Sequence, residues 1–144
     1  MEWLNRLDGK IVCLDTVPII YYMESGLHIE KLEPLFDRIS KGKVNAVTST
    51  ITLLEVLVHP YRKGDIELAN SYRDILLNSN NFSIVPVIDE ISEKAAELRA
   101  EYNIKTPDAI QLSTAIMSNA TAFLTNDSEL KKIDDICVLI LDDL

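Results

Sequence analysis

Cysteine, histidine and glycine are scarce in this sequence, with two, two and four residues among 144. Cys13 and Cys137 both lie in apolar, strand-like runs, which excludes a disulfide framework and predicts two buried, reduced thiols. With His28 and His59 they are too few and too scattered for the usual zinc sites. The glycine-rich motifs that bind phosphates or dinucleotides are absent, as is the G-x-S-x-G of serine hydrolases.

Long apolar runs are also missing. No stretch approaches the ~20 apolar residues that span a bilayer, and the opening MEWLNRLDGK lacks the apolar core of a signal peptide. These features predict a cytoplasmic protein. The sequence contains no repeat, no low-complexity stretch and no linker rich in Pro, Gly or Ser, so we expect residues 1–144 to form one domain.

Basic residues are outnumbered: 23 Asp and Glu against 14 Lys and Arg give a net charge of −9. Binding of nucleic acid by bulk charge requires the opposite balance, because phosphates are neutralised by Lys and Arg. Two interpretations remain open at this point. Either the partner is not a nucleic acid, or the acids are gathered where cations neutralise them.

Short apolar strands alternate with helical patterns along the whole chain. Strands are predicted at 11–14, 44–49, 82–87, 121–125 and 137–141, and helices at 19–24, 29–41, 50–58, 65–78 and 90–102. Pro60 is expected to end the third of these helices, and Thr106 to cap a further helix that has Pro107 and Asp108 in its first turn. Strands without polar alternation are typical of sheets covered on both faces. The pattern therefore predicts a three-layer α/β/α sandwich with a parallel sheet of four or five strands.

Carboxylates follow two of the predicted strands. Asp15 comes directly after one, and Asp127 comes one residue after another. Both are therefore expected at the edge where parallel strands end and where open sheets bind ligands. Asp108 lies at a helix start, but spacing alone does not show at which edge. Glu55 interrupts an apolar run, which predicts a buried carboxylate that must pair, protonate or bind a cation. Each acid taken singly can be explained as a helix cap or as one half of an ion pair.

Four segments resemble the motifs of PIN-domain nucleases in order, spacing and context, with the closest likeness to the toxin ribonucleases of toxin–antitoxin pairs. They are LDTVPIIYYME (14–24), TSTITLLEVLVHP (48–60), KTPDAIQLSTA (105–115) and FLTNDSEL (123–130). The resemblance implies a five-stranded parallel sheet, with Asp108 beside the other acids. It implies that Asp15, Glu55, Asp108 and Asp127 bind metal and act in catalysis, and that the hydroxyl of Thr125 assists them. It also implies an RNA substrate, an antitoxin protein partner and a homodimer.

Oxygen ligands without histidine or cysteine suit hard cations, here Mg²⁺ or Mn²⁺. The resulting hypothesis is a metal-dependent endoribonuclease that holds one or two ions, with side-chain oxygens of Asp15, Glu55 and Asp108 within metal-bridging reach. Three alternatives compete with this hypothesis. A receiver-like signalling domain requires adjacent acids after the first strand, and a dehalogenase-type phosphatase requires D-x-D, whereas Thr16 and Val17 follow Asp15. A PIN scaffold that binds RNA or a partner without cleaving is not distinguished by sequence.

Overall fold

A five-stranded sheet forms the centre of the computed structural model, which describes residues 1–144. All of its neighbouring strands pair in parallel. The strands are β1 (Ile11–Leu14), β2 (Asn45–Ser49), β3 (Phe82–Val85), β4 (Ala122–Thr125) and β5 (Cys137–Ile140). The helices are α1 (Glu2–Asn5), α2 (Thr16–Met23), α3 (Ile29–Ser40), α4 (Thr50–Arg62), α5 (Ile66–Asn78), α6 (Asp89–Tyr102) and α7 (Thr106–Met117), and two 3-10 turns span Ser128–Lys132 and Leu141–Asp143.

The order of the strands across the sheet is β3-β2-β1-β4-β5. From β1 the chain moves outward to β2 and β3, and it then returns through α6 and α7 to build β4 and β5 on the other side of β1. The order therefore reverses between β1 and β4. In open parallel sheets this reversal leaves a crevice at the carboxyl edge, the edge where the strands end.

Both faces of the sheet are buried, which confirms the predicted α/β/α sandwich. Val12 and Leu14 of β1 pack into one apolar cluster with α2 to α5, and Cys13 between them packs into a second cluster with α6 and α7. Successive side chains of a strand point to opposite faces, so a strand between two helical layers must be apolar at every position. The sequence IVCL satisfies that requirement.

The N-terminal segment before β1 belongs to the same core. Leu4 of α1 and Leu7 after it are 2% and 4% exposed, and both lie in the cluster of α2 to α5. Arg38 of α3 fixes the segment further by donating hydrogen bonds to the side chains of Asp8 and Asn5, at 2.6 and 2.9 Å. None of the seven helices is both long enough and apolar enough to cross a bilayer.

Some local predictions are wrong. Helix α4 does not stop before Pro60 but continues to Arg62, because a proline so near the end removes a single amide donor and its ring is buried against the core. The N-cap of α7 is Lys105, and the Thr106 hydroxyl instead accepts a hydrogen bond from Arg99. Cys137 is exposed rather than buried, because it begins β5 at the edge of the sheet.

The two thiols are expected to differ in reactivity. Cys13 has no exposed surface, and its burial raises the pKa of the thiol well above the ordinary value, whereas Cys137 is exposed. Since the thiolate is the reactive form, a thiol reagent should modify one cysteine in the folded protein and both in denaturant. Mass spectrometry of the labelled peptides checks this. Rapid labelling of Cys13 under native conditions would contradict the placement of β1 in the core.

Candidate functional site

The carboxylate of Asp15 lies at the carboxyl edge, immediately after the central strand β1. It is the N-cap of α2 and accepts a hydrogen bond on Oδ1 from the Thr16 amide at 2.8 Å. Its other oxygen, Oδ2, accepts from the Thr125 hydroxyl at 2.8 Å. Thr125 is the last residue of the neighbouring strand β4. Both oxygens are thus oriented by groups on either side of the β1–β4 crevice.

Asp127 also lies at this edge, two residues beyond the end of β4. Its amide donates to the Thr125 hydroxyl at 3.2 Å, and its Oδ1 accepts from the Glu129 amide at 3.0 Å. Asp127 therefore caps a 3-10 turn, which agrees with its interpretation as a helix cap. Its exposed side chain also borders the crevice. A carboxylate has further lone pairs, so the cap leaves it able to accept other contacts.

Asp108, whose position spacing left open, joins the same edge. It lies in the first turn of α7, and α7 ends only five residues before β4 begins. The end of that helix must lie near the edge where the strands start, so its beginning points toward the carboxyl edge. Gln111 on the next turn accepts a 3.4 Å hydrogen bond from the amide of Ser49, the last residue of β2, which is consistent with this direction.

Glu55 reaches the crevice from α4, but it is not buried as the apolar run predicts. Thr52, Val56 and Pro60 are the buried residues of that helix, and Glu55 is exposed. Its Oε1 accepts a hydrogen bond from the Thr16 hydroxyl at 2.7 Å. The Glu55 carboxylate therefore has a hydrogen-bond partner that is a hydroxyl and not a basic side chain.

All four acids and Thr125 line one cavity of about 480 Å³. No lysine or arginine is among its lining residues, which are Asp15, Thr16, Val17, Ile20, Tyr21, Glu55, Pro107, Asp108, Gln111, Thr125, Asn126 and Asp127. No three acidic, histidine or cysteine side chains are grouped closely enough to hold one ion between them, so the assignment of Asp15, Glu55 and Asp108 as metal ligands stays a prediction. Hydrogen bonds draw Glu55 toward Thr16 and Asp127 toward its turn, and uncompensated carboxylates repel one another.

The electrostatics of the cavity favour a cation. Burial raises the pKa of Asp15 to about 6; the hydrogen bonds from Thr125 and Thr16 oppose this increase, and the charges of Asp108 and Glu55 add to it. The pKa of Asp108 is also raised, first by burial and then by the charge of Asp127, while Lys105 acts in the opposite direction. Burial and the repulsion between these carboxylates both disfavour their charged forms, and a cation bound in the cavity would relieve that repulsion.

The donor set fits a hard divalent ion. Every charged group that lines the cavity is a carboxylate, and such ions are bound by carboxylate oxygens and water. Asp15, Glu55 and Asp108 would hold the ion, with Asp127 at the margin. Mg²⁺ keeps several waters when it binds to proteins, so it does not require all four acids in direct contact.

Three residues of the cavity were missed by the sequence analysis. Thr16 bonds Glu55, Gln111 lies at the base, and Asn126 lines the wall between Thr125 and Asp127. Asn126 is fixed from the C-terminal turn, because its Oδ1 accepts from the Asp142 amide at 3.0 Å. No sequence signal singled out Gln111, because α7 also buries two other polar side chains, Ser113 and Thr114.

Together the fold and the cavity define a class: a small α/β/α domain with an acidic pocket where the strand order of a parallel sheet reverses. The chain belongs to the PIN domain family, whose sequence profile matches residues 12–136. No curated protein matches the sequence.

Several solved structures share the fold. VapBC2 from Rickettsia felis, bound to a DNA fragment from its promoter, has a chain 23% identical with a TM-score of 0.74, over 90% of this chain and 98% of that one. A toxin–antitoxin complex from Klebsiella pneumoniae has a chain 24% identical with a TM-score of 0.70, over 90% and 97%. DNA-bound VapBC from Salmonella typhimurium has one 18% identical with a TM-score of 0.72, over 92% and 98%. At these identities the likeness establishes the fold.

Asp15 is expected to make the metal-free protein less stable as pH rises. The folded chain keeps the Asp15 proton up to a pKa of about 6, against an ordinary value of 3.8, so between these values the folded state binds more protons than the unfolded state. The contribution of Asp15 to the free energy of unfolding therefore falls across this window, by roughly 3 kcal/mol at about 1.36 kcal/mol per pH unit. Asp15→Asn lacks this loss, so its stability relative to wild type should increase from pH 4 to 7.

Urea denaturation in EDTA at several pH values measures this difference. The matched control is Asp134→Asn, which changes an exposed acid outside the cavity. A stability difference between Asp15→Asn and wild type that does not vary with pH would show that Asp15 ionises normally.

Proposed function

We propose that this chain is a metal-dependent endoribonuclease that hydrolyses phosphodiester bonds of RNA. The observation that carries the proposal is the cavity in which Asp15, Glu55, Asp108 and Asp127 converge without a lysine or arginine. Membership of the PIN domain family supports it, as does the fold shared with toxin–antitoxin complexes. The cavity holds no other chemical apparatus, such as a nucleophilic cysteine or a histidine base.

Five of the cavity residues have roles under this proposal. A bound Mg²⁺ or Mn²⁺ ion supplies Lewis acidity toward a phosphate and lowers the pKa of its water. Asp15, Asp108 and Glu55 bind the ion, and Asp127 completes its surroundings directly or through water. Thr125 orients Asp15 by donating a hydrogen bond to Oδ2, and the Thr16 amide donates to Oδ1, so each oxygen keeps a further lone pair for the ion.

The net charge of −9 is compatible with an RNA substrate if the ion neutralises the acids at the point of contact. Of the paired basic residues along the chain, Lys41 and Lys131 already pair with Asp37 and Asp143. Lys105 is better placed to contact the RNA backbone, because it is exposed at the start of α7 and its charge acts on Asp108. RNA binding at this site would therefore depend on the ion and on few lysines.

We further propose that the chain is the toxin of a toxin–antitoxin pair, acts in the cytoplasm, and forms a homodimer. The similar solved structures, which are toxin–antitoxin assemblies, support the first part. An apolar stripe supports protein association: Leu54, Val58 and Tyr61 of α4 are 60%, 37% and 55% exposed and recur at helical spacing.

Cleavage of RNA should require the ion and the acids. We expect Mn²⁺ or Mg²⁺ to support cleavage of single-stranded RNA and EDTA to abolish it. Asp15→Asn and Asp108→Asn should lower kcat/KM by ~100-fold or more, which is at least the loss typical of groups that only support a metal ligand. Glu55→Gln should behave similarly, Asp127→Asn should lose less because that side chain lies at the margin of the proposed ion and also caps a turn, and Thr125→Ala should lose least.

The control for these variants is Glu93→Gln, which changes an exposed acid on α6 outside the cavity. Cleavage by Asp108→Asn at the wild-type rate would identify a contaminating nuclease. No cleavage of a broad RNA panel with Mn²⁺ would favour instead a PIN module that binds RNA or a partner without cutting.

Light scattering tests the homodimer, which should have twice the 16.2 kDa mass of the chain. If the α4 stripe forms the interface, Val58→Lys should shift the protein toward the monomer, because a charge replaces an apolar contact. Met117→Lys, at an exposed apolar position on α7, is the matched control and should stay dimeric. A monomeric wild type at tens of micromolar would refute the dimer.

A further inference from the structure

A buried network of side-chain hydrogen bonds lies directly beneath the acidic cavity. Thr48, Thr52, Gln111 and Thr16 are each between 0% and 5% exposed, and they connect β2, α4, α7 and α2. The network ends at the one member that faces the cavity as a carboxylate, Glu55. No buried side-chain nitrogen or oxygen in the structure lacks a partner.

The direction of each hydrogen bond follows from counting hydrogens. The Leu14 carbonyl can only accept, so Thr48 donates to it at 2.8 Å. The hydroxyl of Thr48 has no second hydrogen, so in its 2.7 Å contact with Thr52 the donor is Thr52.

The same count applies at the other end of the network. The Glu55 carboxylate can only accept, so Thr16 donates to it at 2.7 Å. Thr16 and Thr52 have then each used their single hydrogen.

Gln111 is the donor that both of these hydroxyls require. Its Nε2 lies 2.7 Å from the Thr52 hydroxyl and 3.2 Å from the Thr16 hydroxyl, and its Oε1 accepts from the Ser49 amide. The Thr16 and Thr52 hydroxyl oxygens also lie 3.0 Å apart. The Thr52 hydrogen is used on Thr48, and the Gln111 amide donates to both hydroxyl oxygens. The Thr16 hydrogen is therefore left for Glu55. The orientation of an exposed carboxylate is thereby set by a fully buried amide.

We propose that Gln111 is a positioning residue that presents Glu55 to the metal ion through the Thr16 hydroxyl. The inference depends on the proposed function, because it assigns Glu55 to the ion. Loss of the Gln111 amide hydrogens would leave the Thr16 hydroxyl free to rotate or to bond Thr52, and Glu55 would lose its fixed position. Groups that orient metal ligands in this way typically contribute ~10–100-fold to metal affinity.

Calorimetric titration of Mn²⁺ into the full-length protein, without RNA, tests the inference apart from catalysis. Gln111→Met keeps the length of the side chain and removes both hydrogens, and Thr16→Val removes the connecting hydroxyl at nearly constant shape. Each should weaken Mn²⁺ binding by ~10-fold or more. Thr16→Ser retains the hydroxyl and should bind close to the wild-type affinity.

The double variant Gln111→Met with Thr16→Val is the most specific measurement. If Gln111 acts through Thr16, the double variant should bind Mn²⁺ as weakly as Thr16→Val alone, because residues in one network are not additive. The control is Thr114→Val, which removes a buried hydroxyl on the same helix that bonds only the Ile110 carbonyl. Thr114→Val should have a lower melting temperature than the wild type but the same Mn²⁺ affinity.

Wild-type affinity in Gln111→Met, or independent losses that add in the double variant, would overturn the inference while leaving the proposed function intact. Absence of Mn²⁺ binding by the wild-type protein would overturn both. Should Gln111→Met fail to fold, Thr52→Val removes the other hydroxyl that holds the Gln111 amide. It should then weaken Mn²⁺ binding, and unchanged affinity in that folded variant would equally refute the role of Gln111.

Discussion

The position of one carboxylate, that of Asp15 at the end of the central strand, constrains everything around it. Its surroundings remove water and so favour the neutral acid, which raises its pKa to about 6. Two hydrogen bonds oppose that tendency, one from the Thr16 amide and one from the Thr125 hydroxyl. The second is available only because β4 lies beside β1, so the strand order and the charge state of the site are coupled.

The same arrangement keeps carboxylates that repel one another around a single cavity. Acids that served only to cap helices would not need to share a cavity. Four acids line the cavity and no basic side chain does, although the chain contains 14 Lys and Arg. A protein selected for stability alone would place one of those residues in the cavity. Sites that conflict with local rules in this way are expected to be functional. The conflict here is specific, since a divalent ion would relieve it at the point where the carboxylates converge.

Much of the site could be predicted from sequence, and the reasons are physical. Asp15 and Asp127 follow apolar strands, and the ends of parallel strands share an edge. Asp108 could have been placed as well, because α7 is joined to β4 by a short connection and so must begin at the carboxyl edge. For Glu55, sequence reasoning identified the residue but assigned it the wrong environment. An apolar run does not reveal which side of a helix lacks a neighbour, and α4 leaves Leu54 and Val58 exposed beside it.

The interpretation of these acids as helix caps and their interpretation as a functional site are not alternatives. Asp15 caps α2, and Asp127 caps the turn that begins at Ser128. In Asp127 the cap occupies one acceptor position and leaves the others free. A cap fixes the side-chain torsions of a carboxylate. The conformational entropy of that side chain is therefore already lost before any ligand binds. Capping is therefore a means by which the backbone holds acids at the crevice, and Glu55, which lies within a helix, requires the buried Thr16–Gln111 hydrogen bonds for the same purpose.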